Sequence, residues 1–169
     1  MKMILKLASI EDISTIWNIL QQAIARRKAD GSKQWQDGYP NPEVILSDIE
    51  KCVGYKLEKD NEIIGYCAII INDEPVYAEL DGEWLSNGDF IVYHRVAIAD
   101  EHNGKGYAKA MFKLIEDIAL EKGIKSLKVD TNFDNHAMLH LLKTQGYTYC
   151  GKVYFRDSER LAFEKLIEQ

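Results

Sequence analysis

The sequence predicts an α/β domain built on a mixed sheet of about seven strands, mostly antiparallel, with about four helices. Two patterns carry that expectation. Short apolar runs bounded by turn residues alternate with segments whose apolar residues recur at i, i+3 and i+4, the period of a helix that buries one face. Near the middle of the chain an apolar strand, a glycine-bearing loop, an amphipathic helix and a second strand follow one another. That order makes the two strands parallel, with a right-handed crossover.

The elements follow in turn. Residues 2–7 form a first strand. Ser9 with Asp12 is a helix start, and Ile13, Ile16, Trp17, Leu20, Ala23 and Ile24 then mark one buried face. Residues 30–42 are rich in Gly, Pro, Asp and Asn yet carry Trp35 and Tyr39, and loops with aromatics usually bury them against something. A second helix starts after Pro42 and runs to about residue 53. Residues 55–59 and 62–71 form a hairpin around Asp60-Asn61. Residues 72–88 hold Glu74, Glu79, Asp81 and Glu83, and also Tyr77 and Trp84.

Residues 89–98 form the central strand. The helix after it places Ala108, Met111, Phe112, Ile115 and Ala119 on one face, and residues 125–130 return as the parallel strand. A shorter helix over 135–145 carries Met138, Leu141 and Leu142, and strands at 147–155 and 159–166 finish the chain. No internal repeat, low-complexity tract or linker interrupts this order.

With 169 residues and 46% hydrophobic content, the chain suits one domain, 1–169, with a full core. A net charge of −6 argues against a nucleic-acid surface or an anionic membrane face, both of which need basic stripes. It favours, weakly, a cationic small molecule. Three cysteines without a CxxC pair indicate neither a disulfide framework nor a zinc site, so a reduced cytoplasmic setting is expected. The first eight residues are too short and too soon interrupted by Lys6 for a signal peptide, and no apolar run approaches a membrane span.

The most informative segment is Asn103-Gly104-Lys105-Gly106-Tyr107-Ala108, between the central strand and its helix. The glycines permit a tight turn, and the first N–H groups of the helix lack intrahelical partners at the positive end of its dipole. A pyrophosphate fits there. The loop is neither a Walker A sequence nor GxGxxG.

With its surroundings, this stretch resembles the central motif of the GNAT superfamily of N-acetyltransferases, whose loop reads Gln/Arg-x-x-Gly-x-Gly/Ala. Gly106 and Ala108 fit, as do Asn135, the helix after it and Gly146-Tyr147; Asn103 departs, standing where the family usually has Gln or Arg. The resemblance implies a sheet that splays between the strands ending at Ile98 and Asp130, with acetyl-CoA in the gap. The cofactor's amide-bearing arm would pair with backbone at Val96, Ala97 and Ile98, its pyrophosphate would meet residues 104–108, and Asn135 would hydrogen-bond the arm. Asn135 also reads as a plain helix cap. Lys105 could reach the phosphates, whereas Lys109 and Lys113 read as a solvated face.

Acetyl transfer to an amine works by holding thioester and neutral amine in line. Deprotonating a lysine-like amine at pH 7 costs roughly 4 kcal/mol, so a base is useful. His94 is the candidate, sharing strand parity with Val96 and Ile98; its alternative is a packed histidine. Many family members carry a tyrosine as general acid where this chain has Leu142, so Tyr147, Tyr149 or Tyr154 would have to serve, or the thiolate leaves unassisted. Arg95, facing away from His94, reads as a structural ion pair. His136 and His140 share metal-helix spacing, but Ala137 replaces the glutamate of such sites, and no metal is expected.

Trp35, Asp37, Tyr39, Glu79 and Trp84 lie in the segments that wall the acceptor side in this family, and aromatics with carboxylates suit a cation. The leading expectation is an acetyl-CoA-dependent N-acetyltransferase acting on a primary amine of a small molecule or peptide. The alternatives are a non-catalytic acyl-CoA-binding module and a transferase using a longer acyl-CoA. An exposed terminal strand would suit a homodimer.

Overall fold

A computed structural model describes residues 2–155 and 158–168. Among them eight strands and four α-helices follow in order: β1 Met3–Leu7, α1 Ile13–Ala29, α2 Pro42–Glu50, β2 Gly54–Lys59, β3 Glu62–Ile71, β4 Asp81–Gly82, β5 Phe90–Ile98, α3 Tyr107–Glu121, β6 Ser126–Thr131, α4 His136–Thr144, β7 Thr148–Phe155 and β8 Ser158–Leu166. The chain gathers into two compact units, Met1–Ile69 with His94–Ile115 and Ile70–Tyr93 with Glu116–Gln169, and passes between them within β3, β5 and α3.

In the first unit the strands lie in the order β1-β2-β3-β5. The Asp60-Asn61 turn adopts left-handed φ values of 51° and 70°, the conformation a two-residue hairpin needs, and Asn and Asp tolerate it better than most residues. Helix α1 buries Ile16, Ile19, Leu20 and Ala23 against Trp35, Ile45, Tyr66, Ala97 and Ala99. Full burial of an Ile or Leu is worth about 1.5–3 kcal/mol, so packing of this face rather than intrinsic helix propensity holds α1 in place. Arg26, Arg27 and Lys28 close its last turn, where cations complement the dipole. Helix α2 begins with Pro42, and the Asn41 side chain accepts the Val44 N–H at 3.0 Å.

In the second unit the order is β5-β6-β8-β7-β4. Strands β5 and β6 are parallel over Phe90–Val92 and Ser126–Lys128, while β6–β8, β8–β7 and β7–β4 are antiparallel. Tyr77, Val92, Val153 and Ala162 form its core, with Trp84, Phe90 and Phe155 packed against them.

The mixed α/β architecture and element order are as expected, with one strand added. Strand β4 pairs Gly82 with Gly151. A Cβ at Gly82 would lie 2.0 Å from the Cys150 carbonyl oxygen, and one at Gly151 2.2 Å from that of Asp81. The pairing exists because two glycines let the backbones meet, a signal with no hydrophobic pattern. The last strand, β8, lies between β6 and β7 rather than at an edge. The first strand, β1, stands at the sheet edge, so an exposed terminal strand is present there.

Candidate active site

The predicted anion loop belongs to the first unit. After a 3₁₀ turn at Asp100–His102, the Asn103 N–H donates to the Asp100 carbonyl at 3.1 Å, and α3 begins at Tyr107. Gly104 and Gly106 stand at φ 77° and 84°, where an L side chain costs about 1–2 kcal/mol. A Cβ at either position would meet no atom within 4 Å. These glycines therefore serve backbone shape and open approach, not packing. The first α-helical bond runs from the Ala110 N–H to the Gly106 carbonyl at 3.1 Å, which leaves the N–H groups of Tyr107, Ala108 and Lys109 at the start of the helix dipole. Asn103, Lys105 and both glycines are exposed. Lys59, which sequence reasoning did not single out, places its ammonium 5.7 Å from the Tyr107 ring centroid and adds positive charge beside the loop.

Val96, Ala97 and Ile98 are buried in β5, and the Ala99 N–H donates to the Ile64 carbonyl at 2.8 Å. The Ile98 carbonyl accepts from Arg26 Nη2 at 2.9 Å, and Arg26 also pairs with Asp100. One carbonyl of the predicted backbone ladder is thus already engaged, though a carbonyl oxygen has a second lone pair.

His94 lies half-buried in β5, immediately before Arg95, whose φ is 56°. That left-handed residue interrupts the period-two alternation between His94 and Val96, so shared parity no longer argues for His94. The conformation is costly for a long side chain and is held by a network. Arg95 donates to both oxygens of Asp48, through Nη2 at 2.7 Å and Nε at 2.9 Å, and through Nη1 to the Tyr39 hydroxyl at 2.5 Å. The Tyr66 hydroxyl donates to Asp48 Oδ2 at 2.6 Å. Burial works against the guanidinium charge, but Tyr39 and Asp48 outweigh it and hold the Arg95 pKa above its ordinary value. Arg95 forms the structural ion pair expected of it, with Asp48.

Trp35 is 7% exposed and lies under the Arg27 guanidinium at 4.3 Å. It is a core residue. Burial pulls the pKa of Arg27 down to about 10.

In the second unit, Asn135 caps α4, its Oδ1 accepting the Met138 N–H at 3.2 Å. Asn132 Nδ2 donates to Asp134 Oδ1 at 2.5 Å, closing the turn before the helix. Glu79 is exposed. Trp84 is fixed by its indole N–H on the Tyr77 carbonyl at 2.8 Å, and the Tyr77 hydroxyl donates to Asp130 Oδ2 at 2.6 Å. The Trp84 face expected to receive a substrate cation is occupied by the protein's own Lys128 ammonium, 4.3 Å from the ring centroid. Lys128 was not anticipated, although Ser126, Lys128 and Asp130 form a polar period-two series in a strand otherwise made of Leu127 and Val129.

Leu142 is fully buried, while Tyr149 and Tyr154 are 51% and 53% exposed. Tyr147 accepts a hydrogen bond from the Tyr93 hydroxyl at 2.7 Å, and burial pushes its pKa well above that of a free phenol. His136 and His140 are exposed on α4. Among the described residues no helix is long and apolar enough to cross a membrane.

Residues 16–147 match the model of a family described as acetyltransferase (GNAT). A solved GNAT-family acetyltransferase from Streptococcus agalactiae is 33% identical, with 99% of this chain and 96% of that one covered at a TM-score of 0.89. A GNAT-family acetyltransferase from Listeria monocytogenes is 18% identical, with 98% and 95% covered at 0.77. The ribosomal-protein-S18-alanine N-acetyltransferase of Escherichia coli is 12% identical, with 99% and 96% covered at 0.68, and shares the fold. No curated protein is similar enough to count as a match.

Proposed function

Because the chain belongs to the GNAT family of acetyltransferases, we propose that it transfers an acetyl group from acetyl-CoA to a primary amine of a small molecule or peptide. The observation that carries this reading is the open, left-handed loop at Gly104 and Gly106, followed at once by the first turn of α3. Bound there, acetyl-CoA supplies a thioester carbonyl for attack and a thiol as leaving group. The backbone of Gly104, Gly106, Tyr107 and Ala108 would hold its diphosphate, with Asn103, Lys105 and Lys59 beside it. Backbone of Val96, Ala97 and Ile98 would hold the amide-bearing arm, and Asn135, in the second unit, stays a proposed cofactor-binding residue.

In this reading His94 takes the proton from the acceptor ammonium, and the Asp48–Arg95–Tyr39 network fixes the backbone next to it. Leu142 donates nothing. Tyr147, with its pKa raised, is a poor proton source for a thiolate whose own pKa is about 8.5. The leaving group then departs as thiolate, unless the exposed Tyr149 or Tyr154 serves as the general acid. Tyr39 and Glu79 stay in the proposed acceptor walls, whereas Trp35 is spent on the core. Three free cysteines, Cys52, Cys67 and Cys150, support a reducing, cytoplasmic setting. The whole of 1–169 would act as one acyltransferase domain.

The test is thiol release from acetyl-CoA across a panel of primary amines, read beside His94→Ala. An amine that accelerates release, with the loss in the variant shrinking as pH rises and the amine deprotonates itself, supports the reading. Release that no amine accelerates over solvent hydrolysis contradicts it.

A further inference from the structure

The second unit holds a cavity of about 740 Å³, lined by Lys128 and by residues from within 72–90, among them Tyr77, Trp84 and Phe90. None of the residues kept in the acyl-transfer reading lines it. Lys128 is 4% exposed, and its ammonium lies 4.3 Å from the Trp84 ring centroid and 4.2 Å from that of Phe90. Its partner across the β6–β8 register is Glu164, which is fully buried. The oxygens of Glu164 are committed elsewhere. Oε1 accepts the Leu85 N–H at 2.7 Å, and Oε2 accepts the hydroxyls of Ser86 at 2.5 Å and Ser126 at 2.6 Å.

Glu164 thus balances the charge of Lys128 through space, yet no oxygen among the described residues accepts its N–H groups. At the cavity wall this ammonium meets two ring faces but no protein oxygen, so the cavity side is where an acceptor for its N–H groups can come from. Burial lowers its pKa, and Glu164 works against that change. The missing partner is an oxygen, and the strongest complement to a cation is a carboxylate. Asp73, Glu74 and Glu83 also line the cavity, so a plain anion meets repulsion that a molecule with its own ammonium would turn to attraction.

We infer that this cavity binds a small zwitterion of the amino-acid type, its carboxylate on the Lys128 ammonium and its own ammonium among the acidic side chains. The wall is built in advance, since Trp84 is pinned by its hydrogen bond to Tyr77. The inference stands apart from acyl transfer and does not require the ligand to be the acceptor.

The test follows the Trp84 indole N–H resonance while glycine, 4-aminobutyrate and 6-aminohexanoate are titrated into the full chain with no acyl donor present. Butyrate serves as the amine-free control and 4-aminobutyramide as the carboxylate-free control. At least one zwitterion should give a saturable shift, with both controls binding about ten-fold more weakly or worse. Lys128→Met should lose binding by a similar factor, and Lys128→Arg should retain it within a few-fold. Absence of a saturable shift from all three zwitterions, or equal binding of either control, overturns the inference. Retained binding in a folded Lys128→Met protein does so too. The two controls need no variant, so the test survives a misfolded Lys128→Met. Because no acyl donor is present, failure here leaves the acetyltransferase reading untouched.

Discussion

Arg95 grips both oxygens of Asp48, at 2.7 and 2.9 Å, from a backbone position with φ of 56°. Both side chains are less than a tenth exposed. Removing one partner of a buried pair leaves an uncompensated charge, so Asp48→Ala should cost about 3–5 kcal/mol in urea denaturation. Tyr66→Phe, which loses one hydrogen bond to a carboxylate, should cost about 1.5–3 kcal/mol. An Asp48→Ala loss below that of Tyr66→Phe would mean the network does not hold the strand.

Gly82 and Gly151 make a second, different prediction. Gly151→Ala must push two backbones apart, and should cost about 1–3 kcal/mol from overpacking on top of the strain of its own φ of 142°. Gly31→Ala is the matched control: its φ of 80° is strained for alanine, but its Cβ would meet nothing within 4 Å, so only about 1–2 kcal/mol is expected. Equal losses measured by urea denaturation would show that close approach contributes nothing.

The regular elements were legible because each had a local cause. The apolar face of α1, the Asp60-Asn61 turn and the Asn41-Pro42 helix start all depend on neighbours within a few residues. Strand β4 was not, since a Gly82–Gly151 pairing depends on two backbones 69 positions apart and on the absence of side chains. The anion loop was legible for the same local reason as the turns, its shape being set by Gly104 and Gly106. The roles of the aromatics were not. Trp35 and Trp84 carry no mark in sequence that tells a wall from a core residue, and the cations that cover them, Arg27 and Lys128, come from distant elements. The left-handed Arg95 broke the strand parity used for His94, a long-range effect of Asp48 and Tyr39.

A pH dependence follows from Lys56, which pairs with Asp12 at 2.9 Å and Glu58 at 3.5 Å. Burial would raise the Asp12 carboxyl, but hydrogen bonds from Lys56 and Ser9 outweigh it and hold its pKa low; Glu58 is held low chiefly by Lys6 and also by Lys56. Carboxyls depressed in the folded state add stability above their unfolded values, about pH 4, and lose it as pH falls through the folded values. Lys56→Met should therefore be less stable than the parent protein at pH 7, with a deficit that narrows below about pH 4. A deficit that stays constant between pH 7 and pH 3 in denaturant titrations contradicts the assignment.

Asn135 can be split into its two roles. Asn135→Ala removes the cap on Met138 and should cost about 1 kcal/mol, while Asn135→Ser keeps a capping oxygen and should restore most of it. If the amide also holds the cofactor arm, the serine variant regains stability in thermal melts but not affinity for acetyl-CoA. Recovery of both would reduce Asn135 to a cap.

The most direct test of the account is a calorimetric titration of acetyl-CoA into the parent protein and into Gly106→Trp, with circular dichroism confirming that the variant is folded. The account predicts saturable binding that the tryptophan abolishes, because Gly106 stands in open space at the start of α3 with a φ of 84°. Undiminished binding by folded Gly106→Trp would contradict the placement of the diphosphate, and no binding by the parent protein would contradict the proposed donor itself.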